Sequence, residues 1–345
     1  MDSIKTVIGD LHLQPSNLEI AGKLFDFIEN DVKFKDSDHL ILLGDVYNTK
    51  AIIRSEAQNF LFKYLANTRY KKISIIVGNH DYENLECQKS SLDPLQYLSK
   101  VNLYNDQKIY FDHSDETKLA FIPYIHDNNL FLKLLEDNKE QLKHTSYIFC
   151  HQGFKGFDLG GGILDDSGID INSLPNNEFN TFIIGHYHKP QSLKNIVYVG
   201  TPYSHSFGEA NQEKKVLLIN GHSINHIQTN LPQHFQIKYY SETNKFSPHS
   251  NERFEINSIK SEDYISIIVY CKKNEQIKFG KEFFESVFGF KCNSLKIRYD
   301  FTDNEQMIRI DESIGIENML SKYLSLNKKE YLFNKGMEYL KNANL

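Results

Sequence analysis

At 345 residues with a formal net charge of −6, the chain has room for one large core and a smaller appended domain, and is too acidic to hold a polyanion by bulk charge alone. Its 24 Phe, 20 Tyr and absence of Trp sit within a soluble globular composition, and no apolar run approaches the roughly 20 residues that span a bilayer. Met1–Lys5 lacks the basic-then-apolar order of a secretory leader, so a cytoplasmic location is expected. Cys87, Cys150, Cys271 and Cys292 show no C-x-x-C spacing, and buried free thiols are expected in place of a disulfide framework.

Residues 1–232 alternate short apolar runs with helical periods. Strands are predicted at Ile4–Ile8, Leu40–Leu43, Ile73–Val77, Tyr147–Cys150 and Phe182–Ile184, each apolar enough to be buried on both faces. Helices are predicted where Ala21, Leu24, Phe25 and Ile28, and then Ala57, Phe60, Leu61 and Tyr64, recur on one face. Further strands are expected at Ile109–Phe111, Lys118–Pro123, Ile196–Val199 and Val216–Ile219. The order suggests an α/β fold of two stacked sheets flanked by helices. A polar stretch, 233–260, reads as a passage between domains holding a strand or two. The pattern strand, helix, strand at Tyr264–Tyr270, Gly280–Phe288 and Ser294–Tyr299 then predicts a small α+β capping domain over 233–305. Residues 306–345 read as helical. Ile316, Met319, Leu320, Tyr323 and Leu324 form one stripe, and Asn327 with Glu330 resembles a capping box opening a helix to Leu340. There is no internal repeat and no P-loop signature.

Chemistry concentrates in Asp10-Leu11-His12, Gly44-Asp45, Gly78-Asn79-His80-Asp81, Cys150-His151 and Gly185-His186-Tyr187-His188, with Gly200-Thr201-Pro202 after them. The first five each follow an apolar run, which puts them at the carboxyl ends of buried strands, where open α/β sheets assemble their sites. Asp10 and His12, like His186 and His188, are two apart and can point the same way from extended chain. Asp45 follows a glycine that permits a sharp turn, and a carboxylate can bridge two cations roughly 3.5–4 Å apart. Asn79 adds an oxygen ligand without adding negative charge, leaving such a centre attractive to phosphate. Mixed imidazole, carboxylate and amide donors without thiolates suit manganese, iron or zinc better than magnesium alone. Taken singly, each motif reads as an ordinary turn or surface residue; five in one order do not. The other histidines lack this context, and His205 alone is held open because it lies near the cleft in sequence order.

In this order the motifs resemble the calcineurin-like metallophosphoesterase superfamily, with its D-x-H, G-D, G-N-H-D/E, H and G-H-x-H elements. Within it, His151-Gln152-Gly153, Gly185 to Gln191, Tyr198 to Pro202 and Ser206-Phe207-Gly208-Glu209 resemble the nuclease subunit of bacterial and T-even-phage DNA double-strand-break repair exonuclease complexes. The detailed likeness covers about residues 1–220.

The resemblance implies a four-layer αββα metallophosphoesterase sandwich with a capping domain and C-terminal helices. It implies that Asp10, His12 and His188 hold one divalent metal ion, that Asn79, His151 and His186 hold a second, and that Asp45 bridges them, with Mn2+ the expected ion. A hydroxide held between the metals would attack phosphorus. His80 would protonate the leaving sugar oxygen, with Asp81 either orienting its imidazole or making a loop hydrogen bond. Asn48 stands where some relatives carry a histidine. The resemblance also implies a homodimer through helices near Ala57–Tyr64 and Leu92–Leu98. It further implies an SMC-like ATPase partner with a coiled coil, docked by residues 306–345, whose apolar stripe suits core packing equally well. The expected function is a two-metal DNA exonuclease and endonuclease of recombination and repair. The alternatives are a phosphodiesterase or phosphomonoesterase acting on a nucleotide or small molecule, and a metal-free scaffold.

Overall fold

The computed structural model describes residues 3–302 except 51, 115, 175–180 and 250–254, and beyond them only Leu332, Phe333 and Lys335. The predicted helices around 316–324 and 327–340 lie outside the described residues.

The chain opens with β1 (Ile4–Ile8), α1 (Leu18–Asn30), β2 (Ser37–Leu42), α2 (Ser55–Asn67), β3 (Lys72–Ile76) and β4 (Val101–Tyr104). It continues through β5 (Tyr110–Asp112), β6 (Leu119–Ile122), α3 (Asn128–Asp137), α4 (Lys139–Leu142), β7 (Tyr147–Cys150), β8 (Thr181–Ile184), β9 (Gln191–Leu193) and β10 (Ile196–Tyr198). The hairpin β11 (Lys215–Asn220) and β12 (Ser223–Gln228) then returns to the first sheet. One six-stranded sheet has the order β12-β11-β1-β2-β3-β4 and the other β5-β6-β7-β8-β10-β9. The strands that precede the motifs run parallel: β1, β2 and β3 in the first sheet, β7 and β8 in the second.

Alternation along these strands builds the layers. Val7, Ile41, Leu43 and Ile76 face Phe121, Phe149 and Ile183 between the sheets. Their neighbours Ile8, Leu40, Leu42 and Ile75 pack on Ala21, Leu24, Ile28 and Leu61 of α1 and α2. On the far side, Ala120, Ile148, Phe182 and Ile184 meet Phe131 and Leu135 of α3. The result is the expected αββα sandwich, and the near-continuous apolarity of each run follows from having a core on both faces. Each fully buried Leu, Ile or Phe contributes roughly 1.5–3 kcal/mol relative to exposure.

A third sheet follows, ordered β14-β13-β15-β16, from β13 (His234–Tyr240), β14 (Lys245–Pro248), β15 (Tyr264–Cys271), α5 (Lys281–Phe288) and β16 (Ser294–Phe301). Ile237, Ile265, Ile267, Val269 and Phe284 form its own core. The stretch read as an interdomain passage thus supplies two of this sheet's four strands. In β13 the buried residues Phe235, Ile237 and Tyr239 alternate with Gln236 and Lys238, a period of two hidden by polar surroundings. The segment expected as a helix at Leu92–Leu98 is a short 3-10 turn, Asp93–Tyr97, with Pro94 near its start and only Leu95 buried. Asn211 ties this third sheet to the sandwich: its backbone N–H donates to His234 O (2.9 Å), its Nδ2 to Gln236 O (2.8 Å), and Gln236 N–H donates to its Oδ1 (3.1 Å). All four cysteines are buried and unbridged. Among the described residues no helix is long and apolar enough to cross a membrane.

Candidate metal centre

Parallel strand direction delivers the motif side chains to one edge of the sandwich. Asp10 follows β1, Asp45 follows β2, Asn79 follows β3, His151 follows β7, and His186 and His188 follow β8. The chain turns abruptly there, with His12, Asp45 and His186 at φ of 43°, 46° and 87°. Non-glycine residues in that region cost about 1–3 kcal/mol each and persist where surrounding structure holds them. Two glycines give the loops room to meet. A Cβ at Gly78 would stand 2.2 Å from Asp45 N, and one at Gly185 would stand 2.7 Å from Asp10 Oδ1.

Two clusters result, Asp10 with His12 and His188, and Asp45 with His151 and His186, each able to offer one ligand atom per residue within 4.8 Å of the others. In the first, His12 Nε2 and His188 Nε2 are 3.0 Å apart, and Asp10 Oδ2 is 4.0 Å from His188 Nε2. In the second, Asn79 Oδ1 lies 3.0 Å from both His151 Nε2 and His186 Nδ1. Asp45 faces both: Oδ2 is 3.7 Å from His12 Nε2 and Oδ1 is 3.4 Å from His151 Nε2. All seven residues predicted as ligands therefore lie together, and His80 joins them with its ring 4.9 Å from that of His12.

The outer atoms of these groups are held by the fold. His186 N–H donates to both oxygens of Asp10 (3.0 and 2.9 Å). His151 Nδ1–H donates to Leu43 O (2.7 Å), which leaves Nε2 as the ring atom that faces Asn79 and Asp45. His188 Nδ1 is 2.6 Å from Glu209 Oε1. His80 N–H donates to Asp45 Oδ1 (2.8 Å), and its Nδ1–H to Asn48 O (2.9 Å).

Of the two roles open to Asp81, the structure favours the loop hydrogen bond. Its carboxylate is turned away from the His80 ring and accepts three backbone N–H groups, from Val46 (3.0 Å), Tyr47 (3.1 Å) and Gly78 (2.9 Å). Asp81 braces the second and third motif loops against each other, and the carbonyl of Asn48 orients His80. His205 also belongs here, its ring 5.3 Å from His12 and 5.6 Å from His188. Two neighbours carried no assignment from sequence. Tyr124 lies at the rim, its ring 6.2 Å from His151 and 6.3 Å from His186. Glu209 lies behind His188, and its only sequence signal was membership of the Ser206–Glu209 stretch.

Burial and charge set the protonation of these groups. Burial pushes His12 and His186 each down to about 3, against the pull of Asp45. Burial works the same way on His151, but Asp45 and Asp10 outweigh it and raise the ring to about 9. Burial raises Asp10, with Asp45 adding to the rise. Burial also opposes ionisation of Asp45, yet His151, His12 and His80 hold its carboxyl well below the usual range. Burial, reinforced by Asp45, lifts Asp81 to about 7.

Comparison with known proteins bears on this geometry. The sequence profile of calcineurin-like phosphoesterases matches residues 6–190, more than half of the chain and nearly all of the loops just described. Protein 244L of Invertebrate iridescent virus 6, which carries a phosphoesterase name, is 28% identical over 314 residues, spanning 86% of this chain and 100% of that protein. Exonuclease subunit 1 of Enterobacteria phage T4 is 25% identical over 218 residues, spanning 60% of this chain and 61% of the phage protein. Among solved structures, a hypothetical protein from Thermus thermophilus overlaps 57% of this chain and 76% of its own at 15% identity, with a TM-score of 0.32.

Proposed function

The chain belongs to the calcineurin-like phosphoesterase family, and from that premise we propose that this phosphoesterase is a two-metal DNA nuclease, an exonuclease with endonuclease activity. The observation that carries the reading is the convergence of six acidic and imidazole groups into two clusters, with one oxygen of Asp45 facing each.

The donor set fits a pair of divalent cations. Nε2 of His12 and Nε2 of His188 lie 3.0 Å apart, and His12 Nδ1 is buried without a hydrogen-bond partner. Neutral imidazole is the form that binds metal, and burial favours it at His12 and His186, while a cation would displace the proton that Asp45 and Asp10 hold on His151. Asp10, His12 and His188 would hold one cation and Asn79, His151 and His186 the other, with Asp45 between them. When bound, such cations supply a nucleophile near neutral pH and charge to stabilise the phosphate oxygens.

The chain's own groups do the rest. His80 has Nδ1 committed to Asn48 O, so the proton it gives to the leaving oxygen sits on Nε2. Asn79 contributes an oxygen without lowering the positive charge that draws in a phosphodiester. The oxygen-and-imidazole donors suit manganese, iron or zinc, and manganese is the ion of this proposal. DNA as substrate draws on likeness to the phage exonuclease subunit, of whose length the alignment spans 61%. Self-association through α2, where Phe62 is exposed, and docking of an SMC-like ATPase on 306–345 belong to the same proposal.

A second reading, a phosphoesterase acting on a nucleotide or small molecule, draws on protein 244L, which aligns over its whole length and whose name carries no nuclease. Purified full-length chain with labelled duplex, hairpin and single-stranded DNA, and with bis-nitrophenyl phosphate, in manganese, separates the two. Cleavage of DNA that stops on chelation is the expected result. Hydrolysis of the nitrophenyl ester with every DNA left intact would favour the second reading.

A further inference from the structure

We propose that Glu209, held by the buried ammonium of Lys214, is a positioning residue that fixes His188 as a ligand of one cation and not the other. This rests on reading Asp10, His12 and His188 as the ligands of one cation. Glu209 touches no substrate in this scheme; it acts through the imidazole.

Glu209 Oε1 lies 2.6 Å from His188 Nδ1, and an ionised carboxylate can only accept. The ring proton therefore belongs on Nδ1, and Nε2 turns its lone pair toward His12 and Asp10. Partners of this kind set ring orientation and raise ligand basicity.

Glu209 is itself fixed. Its Oε2 accepts from Lys214 Nζ (2.6 Å), from Thr201 Oγ1 (3.2 Å) and from the His205 backbone N–H (3.1 Å). The Lys214 side chain has no solvent exposure. Burying an ammonium is costly unless a carboxylate meets it. Lys214 Nζ also reaches Thr201 Oγ1 at 2.7 Å, so the acid, the base and the hydroxyl form one closed network behind a single ligand.

The turn that carries Glu209, Phe207–Glu209, is clamped on its other side by the third sheet. Asn211 pairs with the backbone of β13 as described above, and His234 Nδ1 lies 2.9 Å from Ser204 Oγ. Nothing comparable stands behind His151, whose Nδ1 is held by the Leu43 carbonyl. Loss of the network should therefore weaken one cation selectively.

The test is calorimetric titration of metal-stripped full-length protein with manganese. The variant is Glu209→Gln with Lys214→Met, which removes both buried charges together, and metal-free melting verifies folding. Glu209→Gln alone, which keeps an acceptor for Lys214, replaces the double variant if that one fails to fold. Wild type is expected to show two binding events. The variant should show one weakened by about 10- to 100-fold, the scale typical of such outer partners, and the other unchanged. Two unchanged events in the folded variant would overturn the proposal, as would equal weakening of both, which is what general loosening produces. Fewer than two events in wild type would remove the cation reading itself, and this inference with it.

Discussion

His151 and His188 each present one ring nitrogen to the interior of the centre, but they are supported in different ways. His151 is fully buried, and its other nitrogen is held by the carbonyl of Leu43, a group fixed by β2 and independent of any side chain. The side chain of His188 is 35% exposed and depends on Glu209, which depends in turn on Lys214 and on a turn gripped by the third sheet. One cluster inherits its geometry from sheet register. In the other, His188 borrows it from a side-chain network and from the third sheet, while Asp10 and His12 follow β1. The difference teaches that two similar sets of donors on one edge can differ in tolerance to substitution and in sensitivity to the third sheet.

Asp45 spans the two clusters, so its loss should erase the contrast. Asp45→Ala is expected to empty both sites and take phosphodiester hydrolysis to background. Elemental analysis finding two equivalents of manganese in that variant would count against the bridging role. His80 should affect chemistry while leaving both clusters intact. His80→Ala is expected to lower turnover by about 10²- to 10⁴-fold, the usual contribution of a positioned acid, with metal content near that of wild type. Loss of both ions in that variant would instead make His80 part of the metal support.

Gly78 sharpens the comparison from the backbone side, since a Cβ there would stand 2.3 Å from Asp45 Oδ1. Gly78→Ala should cost about 1–3 kcal/mol of stability, as overpacking does. A melting temperature equal to wild type would show that the loop can yield. The smallest effect is expected away from both clusters, at the Lys72–Asp112 pair that joins the two sheets. Burial would raise Asp112, but hydrogen bonds from Lys72 and Ser114 hold it down, from 3.8 to about 2. Its folded pKa is below the unfolded one, so its contribution is present above about 3.8 and is lost as pH falls through about 2. Lys72→Met should flatten acid unfolding in that window and leave manganese affinity unchanged. A changed affinity would mean that the sheets transmit strain to the centre.

Much of this arrangement is legible in the sequence because each apolar run stops at the residue that matters. Ile4–Ile8, Leu40–Leu43, Ile73–Val77, Tyr147–Cys150 and Phe182–Ile184 end where Asp10, Asp45, Asn79, His151 and His186 begin their loops, and burial on both faces makes such runs conspicuous. Glu209 and Lys214 are not legible, because a charged residue in a polar loop reads as solvated until its partner is known. That partner, His188, is 21 positions away from Glu209. Asp81 is ambiguous in the sequence for the converse reason. Adjacency to His80 suggests a shared task, but successive side chains in a turn diverge, and Asp81 is spent on three backbone donors. β13 is hidden because its alternation is short and surrounded by Asn, Ser and Lys.

The most direct measurement is an anomalous-scattering map from crystals of the full-length protein grown with manganese. Two peaks are expected, one among Asp10, His12 and His188, the other among Asp45, Asn79, His151 and His186. A single peak, or none, in crystals of protein that still hydrolyses a phosphodiester would contradict the two-cation centre.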